Sequence, residues 1–556
     1  MRKFIKLAAV IFLISVIALG CGNKEKEKKE VKNKEKKEKV YKTAYGDSIV
    51  YGSIGDISGL IPHITSDGSS HAVGDKIYAG LLRYDKNLNL EGELAESWNV
   101  SDDGLKITFY LKKGILWHDG ELFTADDVLF TYQFMIDPNT PTAYAGDYLM
   151  VKSMEVTDLY VVEVTYDEPF APALGSWTLN ILPKHLMEGK TVETTSLATQ
   201  PIGTGPYKFG EWLPKERITL VANDKYFEGR PYIDKTITRI IPDDATMFLE
   251  LKTGGIDSMG LTPLQYTRQT DTEEFNKNYN KFKYLSNGYT YLGFNLMDER
   301  FKDKRIRQAI SYAIDKESII KGVLFGLGQV AVGPYKPGTW AHNPNVKKYA
   351  YNPEKSKALL ADAGWKDTND DGLLEKDGKI FEFTLITNQG NDVRRKVCEI
   401  IQAQLKDIGI KVEIRIYEWA TFINEFVNKK QFEALVLGWG LSPEPDAYDI
   451  WHSSKTKEGE LNFVTYQNPE VDELLIKGRT TFDQAERKKY YDKFQEILAE
   501  DVPYAFLYVA EALPTVSSRF KGIKPAPAGL SYNFIKWYVP EELQKYKEHA
   551  ENVITK

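Results

Sequence analysis

Trp439, Glu444 and Asp446 stand close together in EALVLGWGLSPEPDAYDIWHSS, residues 433–454, where an apolar run gives way to glycine, aromatic and acidic residues. Residues 434–439 read as a continuous apolar strand of the kind found in the middle of a sheet. Gly438 and Gly440 let backbone approach a bound molecule, and ligands of α/β lobes bind beyond strand ends. An indole there can wall a pocket or simply pack in a core, and a carboxylate can pair with a cation. That is the chemistry of recognition rather than turnover. The seven histidines, at 63, 71, 118, 185, 342, 452 and 549, show no metal-ligand spacing. With no GxSxG elbow, no HExxH and no cysteine–histidine arrangement, an envelope hydrolase is only the different-class alternative, and no cofactor is expected. Asp367, Asn369 and Asp371, followed by Gly372, resemble the first half of a calcium loop. The twelfth position is Gly378 rather than a bidentate glutamate, so a surface turn ordered by Asx side chains competes with that reading.

The elements that must position these groups alternate between strand and helix periods. Leu105, Ile107, Phe109 and Leu111 alternate with polar or tyrosine positions as in a half-buried strand. Turns at Lys113-Gly114 and His118-Asp119-Gly120 lead to Thr124, which can cap a helix whose first turn carries Asp126 and Asp127. Residues 154–166 read as a hairpin. Ile306, Ala309, Ile310, Ala313 and Ile314 form a clean helical stripe, as do Val393, Val397, Ile400, Ile401, Leu405 and Ile408 before Gly409 and a strand over 410–416. Further helices are predicted over 470–479 and 483–499. This is α/β grammar, and the length is enough for two or more cores.

The N-terminus sets the compartment. Arg2, Lys3 and Lys6 precede an apolar run, 7–19, that is short for a membrane span and reads as a cleaved signal. Ala18-Leu19-Gly20-Cys21 resembles a bacterial lipobox, which implies lipidation of Cys21; a plain secretory signal is the alternative. Residues 23–42 hold ten lysines and five glutamates and almost nothing apolar, so they are expected to remain a solvated tether. The formal charge of the whole chain is −7, so the body beyond this basic tether is more acidic still. A nucleic-acid partner is excluded on that ground. Cys398 is the only other cysteine and reads as a buried, inert thiol.

The run LAESWNVSDDGLKITFYLKKGILWHDGELFTADDVLFTYQFMI, residues 94–136, resembles the signature region of the extracellular solute-binding proteins of family 5, the oligopeptide- and dipeptide-binding receptors of ABC importers. NILPKHL at 180–186, PIGTGPYKFGEW at 201–212 and NDKYFEGRPYID at 223–234 resemble further landmarks, and the resemblance runs from about residue 47 onward. It implies a two-lobed periplasmic-binding-protein fold (type II, cluster C-like) with an extra insert domain in the first lobe. The corresponding division is a signal over 1–20, lipidated Cys21 and tether over 21–45, and first-lobe parts over 46–90, 201–298 and 504–556. The insert takes 91–200 and the second lobe 299–503. Crossings between lobes are expected near 201–207, 295–304 and 502–508.

The resemblance further implies that a peptide is captured between the lobes and delivered to a permease and ATPase, by a monomer anchored through its lipid at the extracytoplasmic or periplasmic face of the membrane. A nickel chelate, haem, an oligosaccharide or a signalling peptide would suit the same fold. It places Trp439 and Gly440 against the ligand, and Ser69, Ser70 and His71 at the cleft unless these serve only as a helix cap. Many family members carry an aspartate three residues after the tryptophan to pair with a ligand ammonium. Here that position is Ser442, with Glu444 and Asp446 as shifted substitutes.

Overall fold

The strand Ser48–Ser53 is the centre of a seven-stranded sheet, parallel to Lys235–Ile240 on one side and to Ser258–Gly260 on the other. Arg217–Ala222 and Tyr207–Leu213 extend it one way, and Pro514–Ser517 and Tyr279–Lys281 the other. This computed structural model describes residues 41–546. The expectations for the signal, for Cys21 and for most of the tether therefore fall outside the described residues. Among the described residues no helix is long and apolar enough to cross a membrane.

The second sheet runs in the order Tyr284–Leu285, Tyr504–Ala512, Gly288–Phe294, Ala434–Gly440, Glu382–Asn388, Lys411–Tyr417, with Gly328–Val330 also paired to Tyr504–Ala512. Helices Lys304–Ala313 and Asp392–Lys406 bury Ile306, Ile310, Val397, Ile401 and Leu405 with Leu292, Phe294, Ala434 and Val436. Cys398 is buried in that core, and burial pushes its thiol up to about 12, which makes it an inert thiol. On the other face Phe494 of the long helix Gln484–Asp501 packs into a cluster with Tyr291, Trp451 and Tyr504.

Two boundaries differ from the sequence reading. Residues 288–294 and 504–512, assigned to the first lobe, are neighbouring inner strands of the second sheet, where Tyr291 pairs with Phe506 and Leu292 with Ala505. The chain passes between sheets at 282–283 and at 513, not at 295–304 or 502–508. The third expected crossing, 201–207, stays within the first lobe. Its glycines serve close approach: a Cβ on Gly203 would sit 1.9 Å from the Ile77 carbonyl oxygen.

A four-stranded antiparallel sheet, Ala95–Val100, Lys106–Leu111, Val161–Tyr166 and Val151–Asp158, forms the insert. Ile107, Phe109 and Leu111 point into its core with Trp117, Phe123 and Trp177. Thr124 and Asp127 close a capping box at the start of Ala125–Ile136, and the Asp127 carboxylate also accepts from the Lys184 amide at 3.0 Å. His118 is structural: its Nδ1 accepts from the Gly203 amide at 3.2 Å and its Nε2 donates to the Gly205 carbonyl at 3.0 Å. Those roles require the neutral ring, and burial lowers its pKa to about 4. His185 bonds Asp119 at 2.8 Å.

Candidate ligand-binding cleft

The strand Ala434–Gly440 pairs along its length with Gly288–Phe294 and delivers Trp439 to its C-terminal end. The indole stacks on Phe463 at 5.6 Å and donates to the Tyr504 hydroxyl at 3.3 Å. Tyr504 in turn stacks on Tyr291 at 3.9 Å and leans on Trp451 at 4.5 Å. Trp439 is thus held from behind while remaining half-buried, and beyond it Gly440 and Ser442 are exposed.

Residues 54–71 of the first lobe approach this end of the second. Trp419, just past the strand Lys411–Tyr417, lies over Gly55 and donates from Nε1 to Asp67 at 3.2 Å. The same Asp67 oxygen caps the helix Gly68–Ile77 by accepting from the amides of Ser69 and Ser70 at 3.1 and 3.0 Å. Buried Ser70 bonds Asp67 through its hydroxyl at 2.7 Å, and His71 bonds the Thr65 carbonyl through Nε2 at 2.9 Å. Asp67 is thus the cap of this helix, Ser69 and Ser70 are the first-turn residues it holds, and together with His71 they stiffen one wall of the cleft.

Glu444 and Asp446 are not free carboxylates. Glu444 is paired with Arg487, and Asp446 with Arg479, whose Nε lies 3.1 Å from it. The Arg479 side chain is 2% exposed and reaches across to the insert, donating to Asp147 at 2.5 Å and to the Gly146 carbonyl at 3.4 Å. Asp449 pairs with Lys455 at 3.0 Å alongside. Four carboxylates thus face three cations, and a surplus negative charge in so buried a place is relieved by holding a proton. Accordingly burial, opposed by Arg479 and reinforced by Asp446, Asp449 and Glu444, pushes Asp147 up to about 8. The Tyr84 hydroxyl, at the end of the strand Leu82–Tyr84, and the Glu444 side chain both lie beside Gly175 of the insert.

The turn at 367–372 is ordered by its own Asx side chains. Asp367 accepts from the Gly372 amide at 2.9 Å, Asn369 from the Asp371 amide at 2.9 Å and Asp371 from the Leu373 amide at 2.8 Å. Among the described residues no group of three acidic, histidine or cysteine side chains is arranged to hold a metal.

Trp419, Asp147, Arg479 and Tyr84 were not among the sequence candidates. Trp419 follows a predicted strand, the same signal that marked Trp439. Arg479 ends an amphipathic helix and Asp147 lies in a short turn of the insert, so neither carries a local signal of their pairing.

The sequence profile of the bacterial extracellular solute-binding proteins, family 5 (middle region), matches residues 89–460. Oligopeptide-binding protein AppA of Bacillus subtilis (strain 168) is 37% identical over 549 residues, 97% of this chain and 99% of that protein. The structure of AppA from Bacillus subtilis in complex with a nonapeptide superimposes with a TM-score of 0.86 at 38% identity, covering 90% of this chain and 100% of that one. NikZ from Campylobacter jejuni in complex with Ni(L-His) superimposes with a TM-score of 0.81 at 32% identity, covering 88% and 99%.

Proposed function

The chain belongs to family 5 of the bacterial extracellular solute-binding proteins, and from that premise we propose that it captures peptides between its two lobes and delivers them to the permease and ATPase of an ABC importer. The observation that carries this reading is the strand end at 439–442, where a half-buried indole and exposed main chain face the first lobe in a fold shared with a nonapeptide-bound relative. In it Trp439 walls the ligand and the Gly440–Ser442 main chain pairs with an extended peptide, leaving side chains in wet pockets tolerant of sequence. Glu444 and Asp446 stay with their arginines, so the ligand ammonium meets Ser442 and water rather than a dedicated carboxylate. Acylated Cys21 and a lysine-rich tether would hold a monomer at the extracytoplasmic membrane face.

Native mass spectrometry of the chain from residue 43, with sequencing of whatever it releases, tests the ligand. A ladder of peptide masses is expected. A single non-peptide mass would replace the peptide by another solute, a reading that Ser442 and the Ni(L-His)-bound NikZ likeness favour next. Labelling of cells with an alkynyl fatty acid should mark the native chain and not Cys21→Ser.

A further inference from the structure

A cavity of about 400 Å³ lies inside the second lobe, between the helices Lys304–Ala313, Lys316–Gly322 and Gln484–Asp501 and the edge of the sheet at 330–332 and Tyr504–Ala512. That volume is in the range of small-molecule sites. Its walls are mainly apolar, with Val330, Ala331, Leu498, Tyr504 and Phe506 among them. One side chain breaks the pattern: Lys316 is 9% exposed, and among the described residues no carboxylate pairs with its ammonium, which lies 5.8 Å from the centre of the Tyr349 ring.

The other ionisable groups around the cavity are already engaged or stand at its rim. Asp315 caps its own helix through the Ser318 amide at 3.0 Å, Lys347 pairs with Glu500 at 2.7 Å, and Tyr349 donates to the Ala499 carbonyl at 2.8 Å. Glu317, Lys348 and Tyr351 are exposed. Withdrawing a cation from water without a counter-charge is costly, and among the described residues Lys316 has the Tyr349 ring beside it but no carboxylate. Burial alone lowers its pKa to about 8, which leaves the ammonium protonated at neutral pH.

We propose that this cavity is a second ligand site, separate from the cleft, for an organic carboxylate with a hydrocarbon or aromatic body, and that Lys316 is the partner of the carboxylate. The apolar walls take the body and the carboxylate supplies the counter-charge that the protein withholds. The site shares a wall with the cleft, because Tyr504 lines the cavity and its hydroxyl holds the Trp439 indole.

Calorimetric titration of the purified protein with octanoate, 1-octanol and octylammonium at neutral pH reads the proposal. One octanoate per chain is expected, bound about tenfold tighter than octanol, the size of a charge-assisted hydrogen bond, with octylammonium weakest. Lys316→Met should erase the advantage of octanoate over octanol, Lys316→Arg should keep it, and Trp439→Ala should leave it unchanged. The advantage should shrink above about pH 8 as Lys316 loses its proton. No octanoate binding, equal binding of the three probes to the native protein, an advantage that survives Lys316→Met, or one lost instead in Trp439→Ala would each overturn the site. The comparison of the three probes needs no variant, so a Lys316→Met protein that fails to fold leaves the test intact.

Discussion

Replacing Arg479 with methionine removes the guanidinium that joins the insert to the second lobe while keeping an unbranched apolar stem. Its contacts fall into two sets. Within the second lobe it pairs with Asp446 and lies 4.1 Å over the Tyr448 ring, and these persist whether the lobes are apart or together. Across the lobes it bonds Asp147 and the Gly146 carbonyl, accepts the Ala171 amide at its own carbonyl at 2.7 Å, and lies 5.1 Å over Phe170. Only the side-chain part of the second set is lost from the closed form alone. A charge-assisted bond contributes about 1.5–3 kcal/mol, and the cation–π contact adds roughly 0.5–1. The cross-lobe loss is therefore about 3 kcal/mol, or roughly 150-fold weaker binding of a ligand that selects the closed form. Calorimetry with the peptides recovered from the native protein measures it, and small-angle scattering with and without them reports closure. A lower Tm with affinity within about threefold of native would refute the reasoning, since Arg479 would then stabilise the second lobe alone. Asp147→Asn is the companion variant, because its amide oxygen can still accept from Arg479. The raised pKa of Asp147 means that the closed form holds the proton more tightly than a solvated aspartate does. Closure is therefore most favoured at low pH and weakens as pH rises from about 4 through about 8. Native affinity should fall across that window, and the Asn variant should flatten the profile.

Trp439→Ala should weaken peptide binding about tenfold or more, with a smaller effect for Trp439→Phe, because the stack of Phe463, Tyr504 and Tyr291 still frames an aromatic ring. Arg519 bonds Asp257 through Nε at 3.0 Å and a terminal nitrogen at 2.7 Å, pairs with Asp47 and reaches the Ser48 carbonyl at 2.7 Å; Arg519→Leu takes the guanidinium from two buried carboxylates, leaving Asp257 only Lys545 at 3.5 Å, and should cost about 3 kcal/mol in denaturant unfolding. Gly203→Ala should lower soluble yield and Tm sharply, since its methyl meets backbone oxygen that cannot move aside. Chelation with EGTA should leave the thermal midpoint unchanged if the turn is held by its own Asx side chains, and a drop would assign calcium to Asp367, Asn369 and Asp371.

Much of the local structure was legible because its cause is local. The alternation at 105–111, the cap at Thr124, the stripe over 304–313 and the helix-to-strand passage at Gly409 each rest on residues within a few positions of one another, and each appears where the pattern places it. The division into lobes was not, because 288–294 and 504–512 carry the same apolar pattern as any inner strand. Which sheet they join depends on pairings such as Tyr289 with Trp439 and Tyr291 with Phe506, made over separations far beyond any local period.

The candidate site divides along the same line. By itself the sequence determined the family, the α/β class, the strand end that carries Trp439 and the serine at 442, since motif and periodicity are properties of contiguous residues. Only the tertiary structure decided that Glu444 and Asp446 are already neutralised, that Asp67 gathers Ser69, Ser70 and Trp419 into one wall, and that Lys316 stands without a counter-ion. The state of a charge is set by what lies within a few ångströms of it, and Asp147 and Arg479, which meet in the fold, are 332 residues apart along the chain.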